Sequence, residues 1–292
     1  MKLSEYAKRF RVEDGSEFRL KDFDPAETLG LKSKERAHEI LEQGIHSLCD
    51  LQEKLFAQDR WAILVVLQAM DAAGKDSTIK HVMSGLNPQG CNVNSFKEPS
   101  TEELEHDFLW RAARALPERG RIGIFNRSYY EEVLVVRVHP EILSRERLPE
   151  NLISGKIWQE RFEDIKAFER YLDRNGIIIL KFFLNVSKEE QKKRFLKRLD
   201  EPEKNWKFSA SDAQERKYWD KYMDAYEEMI QNTSSERAPW YVVPADHKWF
   251  TRIVVAEAVI HALDKLDLSF PQVDKKKRDD LKKARAVLMH EK

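Results

Sequence analysis

The chain has 292 residues, 41% of them apolar and 10% aromatic, enough to bury one large core. Its 51 basic and 51 acidic side chains cancel, so no global charge attracts a polyanion, nucleic acid is not expected as a partner, and any phosphate site needs cations concentrated in a cleft. The longest apolar run, Trp61 to Leu67, is far short of the roughly 20 residues that cross a bilayer, the start MKLSEYAKRF lacks a leader-like apolar stretch, and Cys49 and Cys91 have no metal or disulfide-framework spacing; a cytoplasmic protein without a membrane partner is expected.

Residues 31–58 place Ile40, Leu41, Ile45, Leu48, Leu51 and Leu55 on a stripe of helical period, which predicts a helix feeding the buried strand Trp61 to Leu67. Further strands are predicted at Asn92 to Phe96, Ile122 to Phe125, Ile177 to Leu184 and Tyr241 to Val243. Between them lie helical patterns over 150–175, 211–231 and 250–268. Capping-box spacing pairs Ser100 with Glu103, Ser187 with Glu190 and Ser211 with Gln214. Strands alternating with helices predict an α/β fold, a five-stranded parallel sheet flanked by helices in one domain spanning 1–292. The run Lys275 to Arg278, followed by Asp279 and Asp280, reads as the solvated start of a charged C-terminal helix or tail over 271–292.

The first strand runs into Gln68-Ala-Met-Asp-Ala-Ala-Gly-Lys-Asp-Ser77 and then a helix through Met83. Strand, small-residue turn, Gly-Lys and helix is the setting of a P-loop. There the backbone amides of Ala72, Ala73 and Gly74 and the start of a helix cradle an anion, with Lys75 reaching the outer phosphates. Ala69 replaces the usual first glycine, and Asp76, followed by Ser77, stands where a magnesium-binding hydroxyl is usual. A carboxylate at Asp71 would repel bound phosphate by roughly 4 kcal/mol per unit-charge pair at 4 Å and an effective dielectric near 20. A divalent cation between them removes that conflict, so Asp71 is the expected metal ligand, with Asp76 as a second oxygen source.

Asn126-Arg127-Ser128-Tyr129-Tyr130-Glu131 follows the third predicted strand, at the carboxyl end where open α/β sheets bind ligands. Arg127 is read as a phosphate contact or, alternatively, as an ion-pair partner of Glu131 four residues on. Farther along, Arg194 and Arg198 share a face of the helix opened by Ser187; a surface ladder with Glu189 and Glu190 is the other reading.

Taken in order, QAMDAAGKDS (68–77), FKEPSTEELEHDFLWR (96–111), IFNRSYYEEVLVVRV (124–138), SKEEQKKRFLKRLDEPEKNWKFS (187–209), WDKYMDAYEEM (219–229) and APWYVVPADHKW (238–249) resemble the polyphosphate kinase 2 family from about residue 10 to 270. That resemblance implies a P-loop kinase fold of thymidylate-kinase type with a helical lid at about 187–220. It implies reversible transfer of the terminal phosphoryl group of inorganic polyphosphate to a nucleotide, with Mg2+ or alternatively Mn2+, by a homodimer or homotetramer. Asn126 where many members have aspartate resembles the class III subgroup, which accepts AMP and ADP; guanine nucleotides are the other candidate acceptors. On this basis Asp71, Lys75, Arg127, Arg194 and Arg198 are expected to be catalytic. Ala72, Ala73, Gly74, Asp76, Ser77, Lys97, Arg111, Arg114, Asn126 and Glu131 are expected to bind substrate. An ATP-dependent nucleotide kinase and a non-catalytic nucleotide sensor would present the same loop and remain open at this point.

Overall fold

In the computed structural model, which describes residues 4–291, the chain runs through α1 (Ser4–Lys8), β1 (Arg11–Val12), α2 (Lys34–Gln58), β2 (Ala62–Gln68), α3 (Lys75–Val82), β3 (Cys91–Ser95), α4 (Trp110–Arg114), β4 (Ile122–Asn126), α5 (Val135–Val138), α6 (Ile157–Arg174), β5 (Ile177–Asn185), α7 (Lys188–Asp200), α8 (Ala210–Glu215), α9 (Trp219–Thr233), β6 (Trp240–Pro244), α10 (Lys248–Asp264) and α11 (Lys275–His290). The sheet order is β1-β6-β5-β2-β4-β3. All five predicted strands are present and mutually parallel. A sixth, β1, pairs antiparallel with β6; two residues are too few to show a period of two, which is why the sequence pattern does not reveal it.

Because β2 lies between β4 and β5 and is buried at every position, its sequence Ala-Ile-Leu-Val-Val-Leu-Gln is a continuous apolar run rather than an alternation. Leu48 and Leu55 of α2 are wholly buried, each worth about 1.5–3 kcal/mol of transfer free energy. The edge strand β3 differs: Asn92 and Val93 face outward, as a strand with one neighbour permits. At Gly123 of β4 a Cβ would sit 2.9 Å from the Pro117 ring, so only glycine allows that loop to lie against the sheet.

Several helix starts depart from the sequence expectation. The Ser100 and Glu103 box closes in both directions, Ser100 N to Glu103 Oε2 at 2.7 Å and Glu103 N to Ser100 Oγ at 3.2 Å, yet it opens only a single 3-10 turn. The predicted 211–231 helix is α8 and α9 with a 3-10 turn between, and its capping box is Ser209 with Asp212, two residues early. The 150–175 pattern becomes helix only at Ile157.

Lys181 interrupts the apolar run of β5 and is fully buried. Its ammonium donates to Glu169 Oε2 (2.7 Å), the Thr233 carbonyl (2.7 Å) and Tyr130 Oη (3.0 Å). Glu169 Oε1 accepts from Tyr129 Oη (2.9 Å) and Tyr130 Oη (2.8 Å). Every polar atom of this knot has a partner, which is the condition for a buried charge pair to be tolerated. Truncating Glu169 to Ala strands the Lys181 charge and should cost about 3–5 kcal/mol in denaturant unfolding; a loss under about 1 kcal/mol would show that the pair carries no structural weight.

Candidate functional site

Strand register sets the site. Leu67 of β2 stands opposite Asn126 of β4, and the Arg127 amide donates to the Leu67 carbonyl at 3.0 Å. The loops leaving the two strands are therefore side by side at the carboxyl edge of the sheet, where the chain turns to opposite sides of β2. Arg127 takes a φ of +64°, and Ala72 in the neighbouring loop a φ of +61°; such left-handed non-glycine residues persist where the surroundings hold them. At Gly74 φ is +120° with no atom closer than 3.8 Å to a would-be Cβ, so the backbone angle, not space, requires glycine.

The loop is held from behind by α7. Gln191 Nε2 donates to the Asp71 carbonyl at 3.0 Å, and Arg194 Nη1 to those of Ala72 (3.0 Å) and Ala73 (2.6 Å). In a trans peptide the C=O and the next N–H point oppositely, so anchoring these carbonyls turns the amides of Ala72 and Gly74 the other way. Gly74 also gives α3 no side-chain cap, leaving the first amides of that helix without intrahelical partners and available to an anion.

These amides face an open cleft of about 840 Å³ lined by Asp71, Ala72, Gly74, Lys75, Asp76, Ser77, Lys97, Asn126, Arg127 and Arg198 among the predicted residues. Lys75 donates to the Ala69 carbonyl at 2.8 Å; burial, and then the Arg127 guanidinium, bring its ammonium down to about 8. Arg127 donates to Asp71 Oδ1 (2.8 Å) and Glu131 Oε2 (3.1 Å), and the Glu131 carboxylate holds the guanidinium more firmly charged, outweighing the opposite effect of its partial burial. The ion pair of the second reading is present, and the same side chain lines the cleft. Gln68, in the orientation that satisfies both amide ends, donates to Glu131 Oε1 at 2.7 Å and accepts from Ser128. Asn126 Nδ2 donates to Asp76 Oδ1 at 2.8 Å. Neither second carboxylate oxygen, on Asp71 or on Asp76, accepts a hydrogen bond from the described residues.

A second cavity of about 400 Å³ joins this cleft across Phe96, Lys97, Glu98 and Arg127. Phe108, Val135, Val136 and Ile142 give it apolar walls, and Arg111 and Glu131 line it. Arg111 is buried and committed: it donates to the Lys97 carbonyl at 2.8 Å and lies 3.5 Å from Glu132. Burial, then Glu146, push Glu132 up to about 7.

Three expected residues line neither of these two cavities, for physical reasons. Ala73 is buried beneath the loop. Arg114 is carried to a separate groove beside β3, over the Trp110 ring and 3.5 Å from Glu102. Arg194 and Arg198 do not act as a matched pair: Arg194 Nη2 also donates to the carbonyls of Ala245 (2.6 Å) and Asp246 (3.1 Å), and Nε to Glu190 (2.9 Å), so its donors face the protein. Arg198, one turn on, lines the cleft. Lys192, Lys193 and Lys197 are exposed.

Some residues of the site escaped sequence reasoning. Gln191 stands three before Arg194 on the same helix face, and that spacing was the available signal. Asp212, Lys204 and Lys248 line the cleft from the segment after α7 and from α10; burial and then the loop of Ser209 act on Asp212 in opposite directions, and its carboxyl ends above its ordinary value, raised further by Asp71.

The polyphosphate kinase 2 family model matches residues 31–271. An ADP-polyphosphate phosphotransferase of Rhodopseudomonas palustris is 53% identical over 97% of this chain and 98% of its own. An AMP/ADP-polyphosphate phosphotransferase of Meiothermus ruber is 45% identical over 91% and 96%. The crystal structure of polyphosphate kinase 2 from Arthrobacter aurescens TC1 superposes with a TM-score of 0.88 at 41% identity, covering 98% of this chain and 97% of that one. No helix among the described residues is long and apolar enough to cross a membrane.

Two outcomes follow from the geometry. Arg194→Ala leaves buried carbonyls unsatisfied and should cost about 2–4 kcal/mol of stability, whereas Arg198→Ala should stay within about 0.5 kcal/mol; equal effects in denaturant melts would contradict the division between them. Binding of tripolyphosphate should be level below about pH 7 and weaken as pH rises through 8, by up to about tenfold per unit, because the Lys75 ammonium is charged below its pKa and neutral above it. Calorimetric titration from pH 6.5 to 9.5 measures this, and a flat profile would remove Lys75 from the anion site.

Proposed function

The chain belongs to the polyphosphate kinase 2 family, and from that premise we propose that it transfers the terminal phosphoryl group of inorganic polyphosphate to ADP and AMP, forming ATP and ADP, and runs the reverse reaction. The division of the cleft carries this reading. An apolar-walled cavity able to take a nucleoside opens on the β3–β4 side, while Arg198, Lys204 and Lys248 line the lid and α10 side, as a donor made of phosphates requires. The names of the relatives, which include both ADP and AMP/ADP acceptors, support the pair of acceptors. Assembly as a homodimer or homotetramer and a cytoplasmic address, where nucleotides are available, belong to the same proposal.

Phosphoryl transfer needs alignment and charge neutralisation more than covalent help. The α3 amides and Lys75 hold the phosphates flanking the transferred group, and Arg127 meets the acceptor phosphate as it leaves Asp71. Arg198 lies on the lid helix, from which it neutralises equatorial oxygens when the lid closes. A nucleotide phosphate oxygen is already anionic, so no side chain has to take a proton.

The donor set fits Mg2+. Asp71 and Asp76 offer hard carboxylate oxygens beside the phosphate cradle, and no cluster of three or more His, Cys, Asp or Glu side chains suited to a metal occurs among the described residues, matching an ion that one or two carboxylates hold and substrate phosphates complete. When bound, such an ion neutralises charge on the phosphate oxygens.

Purified protein given ADP, magnesium and long-chain polyphosphate should form ATP in proportion to the polyphosphate supplied. Asp71→Asn should lower the rate by about a hundredfold or more. Phosphorylation seen only with ATP as donor would instead establish an ATP-dependent nucleotide kinase.

A further inference from the structure

The peptide between Asp71 and Ala72 is held on its less favoured side. Ala72 has a φ of +61°, in the left-handed region that residues other than glycine avoid. Turning that single peptide over changes ψ of Asp71 and φ of Ala72 together, as in the exchange of one turn type for another. It would return Ala72 to the ordinary negative range and aim the Asp71 carbonyl, instead of the Ala72 amide, at the phosphate cradle. Gln191 Nε2 opposes that turn, because it donates to the Asp71 carbonyl at 3.0 Å and loses the bond if the peptide inverts. Arg194 cannot replace it, since its donors on this loop go to the carbonyls of Ala72 and Ala73.

A glutamine provides this grip in only one of its two amide orientations, because its oxygen accepts and its nitrogen donates. Gln191 is buried, and its Oε1 accepts from Arg216 Nη1. A guanidinium has donors and no acceptor, so it keeps the amide oxygen on its own side and leaves Nε2 for Asp71. Arg216 is itself fixed in the 3-10 turn between α8 and α9. Its Nη1 also donates to the Lys188 carbonyl at 3.0 Å, and its guanidinium lies 6.0 Å from the Trp219 ring. The preceding Glu215 pins the same turn, with Oε2 at 3.0 Å from both His139 Nε2 and Tyr222 Oη. Arg216 lines neither cavity of the site, so its action on the loop passes through Gln191.

We propose that Arg216 is a positioning residue of the P-loop, which orients the Gln191 amide and thereby keeps the Asp71–Ala72 peptide with its N–H toward the phosphate donor. This rests on the reading of the loop as the cradle of that donor. An amide aimed at a phosphate makes a hydrogen bond to a charged group, and losing one weakens the donor by about tenfold.

The experiment compares wild type with Arg216→Met, Gln191→Leu, the double variant and Gln191→Glu. It measures KM for long-chain polyphosphate and for ADP at pH 8, with thermal melts confirming folding. The glutamate keeps the contact with Arg216 as an ion pair but has no hydrogen for the Asp71 carbonyl, so it separates loop orientation from structural bracing. Expected are a rise of about tenfold in the polyphosphate KM for Gln191→Leu and Gln191→Glu, at least about threefold for Arg216→Met, and less than twofold change in the ADP KM. In the double variant the rise should stay within about twofold of Gln191→Leu alone, because residues acting through one contact are not additive. Multiplied effects in the double variant, an unchanged polyphosphate KM in Arg216→Met, or a silent Gln191→Glu would each overturn the inference. Equal rises in both KM values with a lower melting temperature would make Arg216 a structural brace and overturn it as well. If Arg216→Met does not fold, Gln191→Glu decides alone. Should wild type use only ATP as donor, the polyphosphate reading fails, and KM for ATP in the same variants decides this inference separately.

Discussion

A loop that binds a polyanion must aim its backbone amides at the ligand, and nothing in a run of small residues compels them to point that way. Here the compulsion comes from α7, where Gln191 and Arg194 seize the carbonyls of Asp71, Ala72 and Ala73. Because each peptide is rigid and trans, fixing one side of the unit directs the other. The left-handed angles at Ala72 and Gly74 are held by that grip. Arg194 also holds the carbonyls of Ala245 and Asp246, so the P-loop, α7 and the turn after β6 are joined through one guanidinium.

The charges facing the cleft are held loosely by comparison. Arg127 and Asp71 are 37% and 36% exposed at the side chain, and a pair so open to water is worth no more than about 1 kcal/mol. A phosphate can take the arginine and a cation the carboxylate at little cost. The deeply buried pair of Lys181 and Glu169 behaves oppositely. It lies under Tyr129 and Tyr130, immediately beyond Arg127 in the chain, and ties that segment to β5 and α9. Rigid support below and exchangeable charge above is the arrangement expected where a site is preorganised for its ligand rather than for itself.

The two cavities meeting at Lys97 and Arg127 separate an apolar-walled space from a cationic one. In the proposed reading, that division gives two chemically unlike substrates separate spaces whose linings meet at Lys97 and Arg127. Asp212 and Lys204 line the same cleft from the segment after α7, so that segment and the sheet meet there.

Much of this was legible in the residues. Continuous apolar runs mark the buried strands, and the Gly-Lys turn after the first of them marks the loop that lines the cleft, because the backbone conformation it needs admits few residue types. Asp71 stood out because a carboxylate among phosphates demands a counter-charge. Other features depend on which distant segments meet. Arg194 and Arg198 look equivalent in sequence, yet a single helical turn decides that one faces carbonyls and the other the cleft. Arg111 and Arg114, three apart, are divided between a buried brace at Lys97 and a separate groove at β3. Lys248, about 170 residues from Lys75, enters the site only because α10 packs beside α3. Local pattern determined the strands and the loop; the direction of each cation was decided by tertiary packing, since hydrogen-bond geometry depends on where partners lie in space and not on their distance along the chain.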